Sequence, residues 1–390
     1  MRIGILGGTF DPPHEAHVAL ARAACAALRL DRILIVPSGD PPYKKCLSAG
    51  CDRLEMARAA FRDVPDAEVS EIEISRAGAS DAVDTVRALR ALYPEAALTY
   101  ILGADAVAKL PGWLGYDELR TMCGFAYAAR SGACIADVPA ARIDAALPAV
   151  SSSEARALIA QGKDARSIVP EAVADYIEKR GLYIADRPED ELVDDLRTRL
   201  SPRRFLHSLG VRDAAETLAA QNGLAPGKAR IAGLLHDCAK NLSDAELLSV
   251  ADEAGADADE KANPRLLHAP VGALIARTRY GVGDPEVLRA IRLHTVGGPG
   301  MTLLDMIVYV ADYIEQNREP FPGVEEARAC ARTDIRRATV ECARQTCDYT
   351  DRRGRCPHPA TAEMILELED GGIANGKAER TGAGDGKHPV

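Results

Sequence analysis

The stretch GGTFDPPHEAH, Gly7 to His17, constrains the first half of the chain more than any other segment. An apolar run of strand character, RIGIL, precedes it, and the alanine-rich VALARAACAAL with helical periodicity follows. The segment is therefore a strand-to-helix turn. Gly7 and Gly8 remove the Cβ atoms that would keep a ligand from the backbone. Asp11, Pro12 and Pro13 set the turn, and Thr9 and Phe10 complete the loop. His14 and His17 are spaced to share one face of the first helical turn, where unpaired N–H groups favour an anion. Such a turn is a phosphate site that needs no lysine-bearing loop.

From Met1 to about Ala185, strand-like runs (RIGIL, RILIVP, AEVSEIEIS, LTYILGA and GFAYAA) alternate with helical ones. That alternation predicts a Rossmann-like α/β domain with a parallel sheet and helices on both faces. Ligands on such sheets sit beyond the carboxyl ends of the strands, and Gly7, Pro37 and Gly103 fall at such ends. Several residues on these loops carry usable chemistry. Lys44 stands in SGDPPYKK, Thr85 opens the helix DAVDTVRAL, and Gly103 and Asp105 follow LTYIL, where the carboxylate can accept from ribose hydroxyls. Trp113, the single tryptophan, offers a face on which a flat ring can stack, although a lone Trp is ordinarily core packing. Ser151, Ser152 and Ser153 precede a helical run with Arg156 in its opening turn, which is either an ordinary cap or an anion site with a bidentate cation.

GGTFDPPHEAH resembles the phosphate-binding signature of the nucleotidyltransferases with an H-x-G-H motif, and within them bacterial nicotinate-nucleotide adenylyltransferase. The resemblance runs from Met1 to Tyr183. Ala16 replaces the usual glycine, and PPYKK resembles the family's Pro-Pro-His-Lys loop with Tyr43 in place of His. Asp81 and Ala82 replace a Tyr-Thr pair, and VSSSEAR resembles Ile-Ser-Ser-Thr-x-x-Arg. The resemblance implies ATP with Mg²⁺ and nicotinate mononucleotide as substrates. It implies His14, His17, Lys44 and Arg156 on phosphates, Thr85 and Trp113 at the nicotinate, and Arg130 as a further binding position.

The polar, acidic ADRPEDELVDD reads as a linker over residues 186–190. Beyond it strand signals nearly vanish and helical periodicity continues to about Glu369, which predicts an all-α domain over 191–370. On it lie His207, His236, Asp237, His268, His294 and Asp312 in the apolar settings RFLHSLGV, LLHDCAK, LLHAPVGA, IRLHTVGG and VYVADYIE. Unpaired polar groups there are costly unless a metal satisfies them, and imidazole with carboxylate suits Fe, Mn, Co or Zn. The adjacent His236 and Asp237 point about 100° apart, so one can hold one ion while the other bridges to a second.

These strings resemble the HD-domain phosphohydrolases of the two-metal type, and HDCAK, LLHAPVGA, IRLHT and ADYIEQNREPFPGV resemble the YqeK-type family. That resemblance implies two divalent or trivalent ions, iron first among them, and symmetrical hydrolysis of diadenosine tetraphosphate. Lys240 and Arg318 are cation candidates for its phosphates. The rival readings are a nucleotide-sensing module, or hydrolysis of another phosphate ester. For the first half, nicotinamide mononucleotide and pantetheine phosphate are the competing substrates.

The 390 residues suffice for two or three domains, and the formal net charge of −10 argues against a nucleic-acid polymer as partner. Ten cysteines without a C-x-x-C pair read as reduced thiols, including Cys342, Cys347 and Cys356 near His358, whose spacing is irregular for zinc. MRIGILGG lacks the apolar core of a signal peptide, and no apolar run is long enough to span a bilayer, so a cytoplasmic location without membrane contact is expected. A homo-oligomer is left open. Gly371 to Val390, glycine-rich and charged, reads as a disordered tail.

Overall fold

The computed structural model describes residues 1–41, 46–76, 78–128, 139–318 and 321–378, without the side chains of 104–105 and 371–378. The chain forms two compact units, Met1–Ile177 and Glu178–Val390.

The first unit carries the sheet strands β1 (Arg2–Gly8), β2 (Arg32–Pro37), β3 (Ala67–Val69), β4 (Ala97–Gly103), β5 (Gly124–Ala128) and β6 (Ala140–Ile143). Its helices are α1 (Glu15–Leu28), α2 (Gly50–Phe61), α3 (Ala82–Leu92), α4 (Ala104–Val107), α5 (Tyr116–Met122), α6 (Ser152–Ala160) and α7 (Glu171–Arg180), the last running across the division. The strand order is β3-β2-β1-β4-β5-β6 and every pairing is parallel. β1 is central because RIGILGG buries both of its faces: Ile3 and Ile5 are wholly inaccessible on one, and Leu6 is buried on the other. The order reverses between β1 and β4, so the crevice for a ligand opens where β1 ends.

Two sheet details differ from expectation. AEVSEIEIS yields only the three-residue β3, because Glu73 turns inward to meet Thr85 and Ser75 N–H closes a turn on the Glu71 carbonyl. The short β6 was not legible, its AARI being too brief and too exposed to signal a strand.

The second unit is helical throughout its described residues: α8 (Glu189–Arg199), α9 (Pro202–Gln221), α10 (Pro226–Leu235), α11 (Asp244–Ser249), α12 (Ala258–Ala262), α13 (His268–Thr278), α14 (Pro285–Leu293), α15 (Leu303–Ile314), α16 (Val324–Ala331), α17 (Ile335–Asp351) and α18 (Pro359–Ala378). One apolar core joins α9, α10, α14, α15 and α17 through residues such as Val211, Leu234, Ile291, Ile307 and Ala338.

The expected boundary needs correction. Ile184 and Ala185 are buried in this helical core, so the compact units divide before them rather than at 185. Residues 186–190 are no free linker either. Pro188 caps α8, and Glu189 pairs with Arg212 at 3.1 Å and Arg230 at 2.5 Å. The tail expected over 371–390 lies outside the residues whose side chains are described. No helix among the described residues is long and apolar enough to cross a membrane.

Candidate active sites

In the first unit, the turn after β1 is built by contacts from distant loops. Phe10 takes a left-handed backbone (φ 47°) and is buried, its ring edge-on to His17 at 5.0 Å and to Phe61 at 5.6 Å. Asp11 accepts from Leu47 N–H at 2.8 Å and from the Ser48 hydroxyl at 2.5 Å. His14 is the N-cap of α1, and its backbone N–H donates to His17 Nδ1 at 3.2 Å. That bond assigns the ring proton of neutral His17 to Nε2, which makes this edge a phosphate donor. The two imidazoles stack with centroids 3.7 Å apart, side by side at the helix N-terminus.

The serine-rich segment joins the same turn across more than a hundred residues of chain. Ser151 caps α6 by accepting from Glu154 N–H, and Ser152 Oγ donates to the Pro12 carbonyl at 2.8 Å. Arg156 donates to the Asp11 carbonyl at 2.6 Å and to Ser153 Oγ at 3.2 Å. Two helix N-termini, two histidines and one guanidinium thus gather at the end of β1, an arrangement suited to polyphosphate.

The glycines divide the work differently from expectation. A Cβ on Gly7 would lie 2.2 Å from Tyr100 Oη, so the close approach at Gly7 is by this hydroxyl. Gly103 faces open space at the end of β4. Trp113, half-buried, meets Tyr100 edge-to-face at 5.9 Å, which links it through Tyr100 to Gly7 and the phosphate turn. Thr85 turns its side chain inward. It is wholly buried, its hydroxyl donating to Glu73 Oε1 at 2.7 Å and accepting from Arg76 at 3.3 Å. Burial in turn pushes the Glu73 carboxyl above its usual range. Lys44, the Asp105 side chain and Arg130 lie outside the described residues.

Arg53 escaped the sequence reading. Only 2 % exposed, it donates from α2 to the carbonyls of Thr9 (3.2 Å), Ser38, Gly39 (2.7 Å) and Ser48 (3.4 Å). One guanidinium therefore ties the phosphate turn to the loop after β2. Arg53→Met strands these carbonyls and should cost about 3 kcal/mol of stability in the first unit, read as an earlier urea transition of the sheet domain. An unchanged midpoint contradicts the assignment.

In the second unit the expected ligands converge. His207 comes from α9, His236 and Asp237 follow α10, His268 opens α13, His294 closes α14 and Asp312 lies on α15. His236, His268 and His294 share one device: each Nδ1 lies 2.7 Å from the carbonyl three residues earlier, Gly233, Arg265 and Ile291 respectively. Each ring then donates from Nδ1 and presents a bare Nε2, the form in which imidazole binds metal. His236 Nε2, wholly buried, has no hydrogen-bond partner among the described residues. Burial lowers the His236 pKa to about 4 and that of His268 well below the usual imidazole value, so both rings are neutral and ready to ligate.

Asp237 stands between two clusters. Its Oδ2 lies 3.7 Å from His236 Nε2, while His207 Nε2 meets Asp312 Oδ1 at 3.0 Å on that side. Its Oδ1 lies 3.4 Å from both His268 Nε2 and His294 Nε2. Burial opposes ionisation of Asp237, but Lys240 and the surrounding imidazoles outweigh it and hold the carboxyl well below its usual range. Asp312 is likewise held down, by His207 and Arg318 against burial. The donor set, four imidazoles and two ionised carboxylates with one orphaned buried nitrogen, fits divalent metal binding, with Asp237 placed between its two sides.

The cation candidates are close by. Lys240 Nζ is 3.3 Å from Asp237 Oδ1 and 2.7 Å from His268 Nε2, and Arg318 donates to Asp312 at 2.8 Å. Thr295 Oγ1, which the sequence reading passed over, is 2.9 Å from His268 Nε2 and 3.0 Å from His294 Nε2. Glu315, 1 % exposed, contacts His207 Nδ1 at 3.0 Å and accepts from Asn317 N–H at 2.5 Å. It orients His207 as the backbone carbonyls orient the other rings. Glu315→Gln should weaken metal retention about 10- to 100-fold, measured by competition with a chelator; unaltered retention would remove this role. Cys342, Cys347 and Cys356 enter no three-ligand group among the described residues, and His358 instead meets Asp257 at 3.2 Å.

Comparison with known proteins agrees with this division. The Cytidylyltransferase-like family matches residues 5–158 and the HD domain family residues 204–317. A relative from Mycoplasma genitalium, named a probable nicotinate-nucleotide adenylyltransferase/Ap4A hydrolase, is 30 % identical over 319 residues, covering 82 % of this chain and 88 % of that protein. Its counterpart in Mycoplasma pneumoniae is 31 % identical over 315 residues, covering 80 % and 88 %. A Roseiflexus protein named probable nicotinate-nucleotide adenylyltransferase is 44 % identical over 195 residues, covering 46 % of this chain and 97 % of its own.

Proposed function

This chain belongs to the family in which a nicotinate-nucleotide adenylyltransferase is joined to an Ap4A hydrolase, and from that membership we propose that it carries out both reactions. The observation that supports this most is the pair of separate clusters, the histidine turn docked by Arg156 and the convergence of His207, His236, His268, His294 and Asp312 around Asp237.

In the first unit, a phosphate oxygen of nicotinate mononucleotide attacks the α-phosphorus of ATP. The bond to the β,γ-phosphates breaks, and nicotinate adenine dinucleotide and pyrophosphate leave. His14, His17 and Arg156, with Lys44, hold phosphates and neutralise the charge that builds at transfer, so no covalent enzyme intermediate is needed. Mg²⁺ accompanies ATP. Trp113 offers a face to the pyridine ring beside Tyr100. Thr85 braces the start of α3 against Glu73 and acts at the nicotinate only through that positioning.

In the second unit, water adds across the central phosphoanhydride of diadenosine tetraphosphate and two ADP leave. His207, His236, Asp237, His268, His294 and Asp312 hold the metals, which when bound lower the pKa of a water and polarise the phosphate. Iron is the first candidate, ahead of Mn, Co and Zn. Lys240 and Arg318 neutralise the departing ADP. Reduced thiols and a cytoplasmic place of work accompany this reading.

The test is product identification by mass with the full chain. ATP with nicotinate mononucleotide should give nicotinate adenine dinucleotide, while nicotinamide mononucleotide and pantetheine phosphate turn over far more slowly. Diadenosine tetraphosphate should give ADP alone. Formation of AMP and ATP, or no cleavage by metal-replete protein, counts against the second assignment; preference for either competing substrate counts against the first.

A further inference from the structure

The helices that carry His268 and His294 also build a groove on their other side. Leu274 and Arg277 from α13, with Leu288, Arg289, Arg292 and Leu293 from α14, line a cavity of about 390 Å³. Arg277 lies two and a half turns beyond His268, which places it about 180° round the helix, away from the metal ligands. Arg292 points about 160° away from His294 by the same geometry. The groove is therefore separate from the metal site, although both are formed by the same helix pair.

Its charge is unbalanced. Arg289 pairs with Asp305 at 2.6 Å, and Arg292 pairs with Glu260 at 2.9 Å. Arg277 is exposed and has no ion-pair partner among the described residues. Arg292 is spent inward: its Nη2 donates to the Gly255 carbonyl and to Glu260, and its Nη1 is closed off from solvent. Three guanidinium groups against two carboxylates, beside three leucines, select a ligand with a compact anion and a flat apolar body.

We propose that this groove binds a nucleotide, with phosphate on the unpaired Arg277, in the field of Arg289 and Arg292, and the base against Leu274, Leu288 and Leu293. Guanidinium meets phosphate in bidentate fashion and also stacks on aromatic rings, and the volume falls within the range of small-ligand sites. The inference stands on the groove and not on the substrate assigned to the HD unit. A ligand there bears directly on the helices that hold His268 and His294.

Hydrogen exchange on the full, metal-loaded chain tests it, with ADP as the probe. Saturating ADP should slow exchange about tenfold over residues 270–278 and 286–293. The protection should persist in Asp237→Ala, where the metal cluster is broken. It should vanish in Arg277→Glu, which reverses an exposed charge, and in Ala273→Phe, which fills the groove wall. Protection that survives both groove substitutions but disappears in Asp237→Ala places ADP at the metal cluster and overturns the proposal. Absence of protection in the parent chain also overturns it, and so does equal protection by inorganic phosphate alone.

Discussion

His17→Ala will lower the rate of nicotinate adenylyl transfer at least 100- to 1,000-fold, the cost of removing one positioned donor at a site of developing charge. The loss has three sources. The Nε2 donor disappears. The His14 N–H loses its acceptor at the head of α1. Phe10 loses the ring that packs against its edge. The fold should persist, because Phe10 still packs on Phe61, and Arg53 and Arg156 still hold the turn. His17→Asn keeps a polar group at the position and should recover little of the rate, since the imidazole edge is what reaches phosphate. Steady-state assays of dinucleotide formation, with circular dichroism as the control for folding, check this. Turnover within a few-fold of the parent would end the assignment of the turn as the transfer site.

Asp237→Ala will remove both metal and hydrolysis from the helical unit, by more than 1,000-fold in rate. Its two oxygens face different ligand groups, Oδ2 toward His236 and Oδ1 toward His268 and His294. His236 also belongs to both groups, but its Nδ1 is held by the Gly233 carbonyl and it offers a single ligating nitrogen, whereas Asp237 offers two oxygens, so loss of Asp237 should cost both ions rather than one. The substitution also leaves Lys240 without its carboxylate at 3.3 Å and facing His268. Asp237→Asn retains the shape but not the charge and should lose metal nearly as completely, because a neutral amide is a weak bridge between cations. Elemental analysis after gel filtration, beside an assay for ADP release, reads both effects. Two retained ions per chain would refute the ligand set.

Much of this was legible in the sequence because both sites are written in short, unusual strings. Histidines at a fixed spacing after a glycine pair, and five histidine- or aspartate-bearing stretches embedded in apolar helix, are costly patterns without a ligand. The sheet was legible where strands are buried on both faces, as in RIGILGG and RILIVP, and failed where period-2 alternation met a local turn at Glu71–Ser75. Arg53 was illegible because nothing in α2 marks it. Its partners at Thr9, Ser38, Gly39 and Ser48 belong to loops that only the fold brings together. Glu315 was within reach, since it follows Asp312 by one helical step at the end of an apolar helix. That Glu73 claims the Thr85 hydroxyl from within was illegible, because the two are twelve residues apart and meet only in the fold. The acidic run at 186–190 looked solvated, yet Glu189 is needed by Arg212 and Arg230.

The account rests on two reactions at two separate sites in one chain, and one crossed assay tests that directly. Parent, His17→Ala and Asp237→Ala proteins are each given ATP with nicotinate mononucleotide, and separately diadenosine tetraphosphate. The predicted result is a clean exchange: His17→Ala releases ADP at the parental rate and makes no nicotinate adenine dinucleotide, while Asp237→Ala does the reverse. Loss of both activities in either variant, or of neither in both, contradicts it.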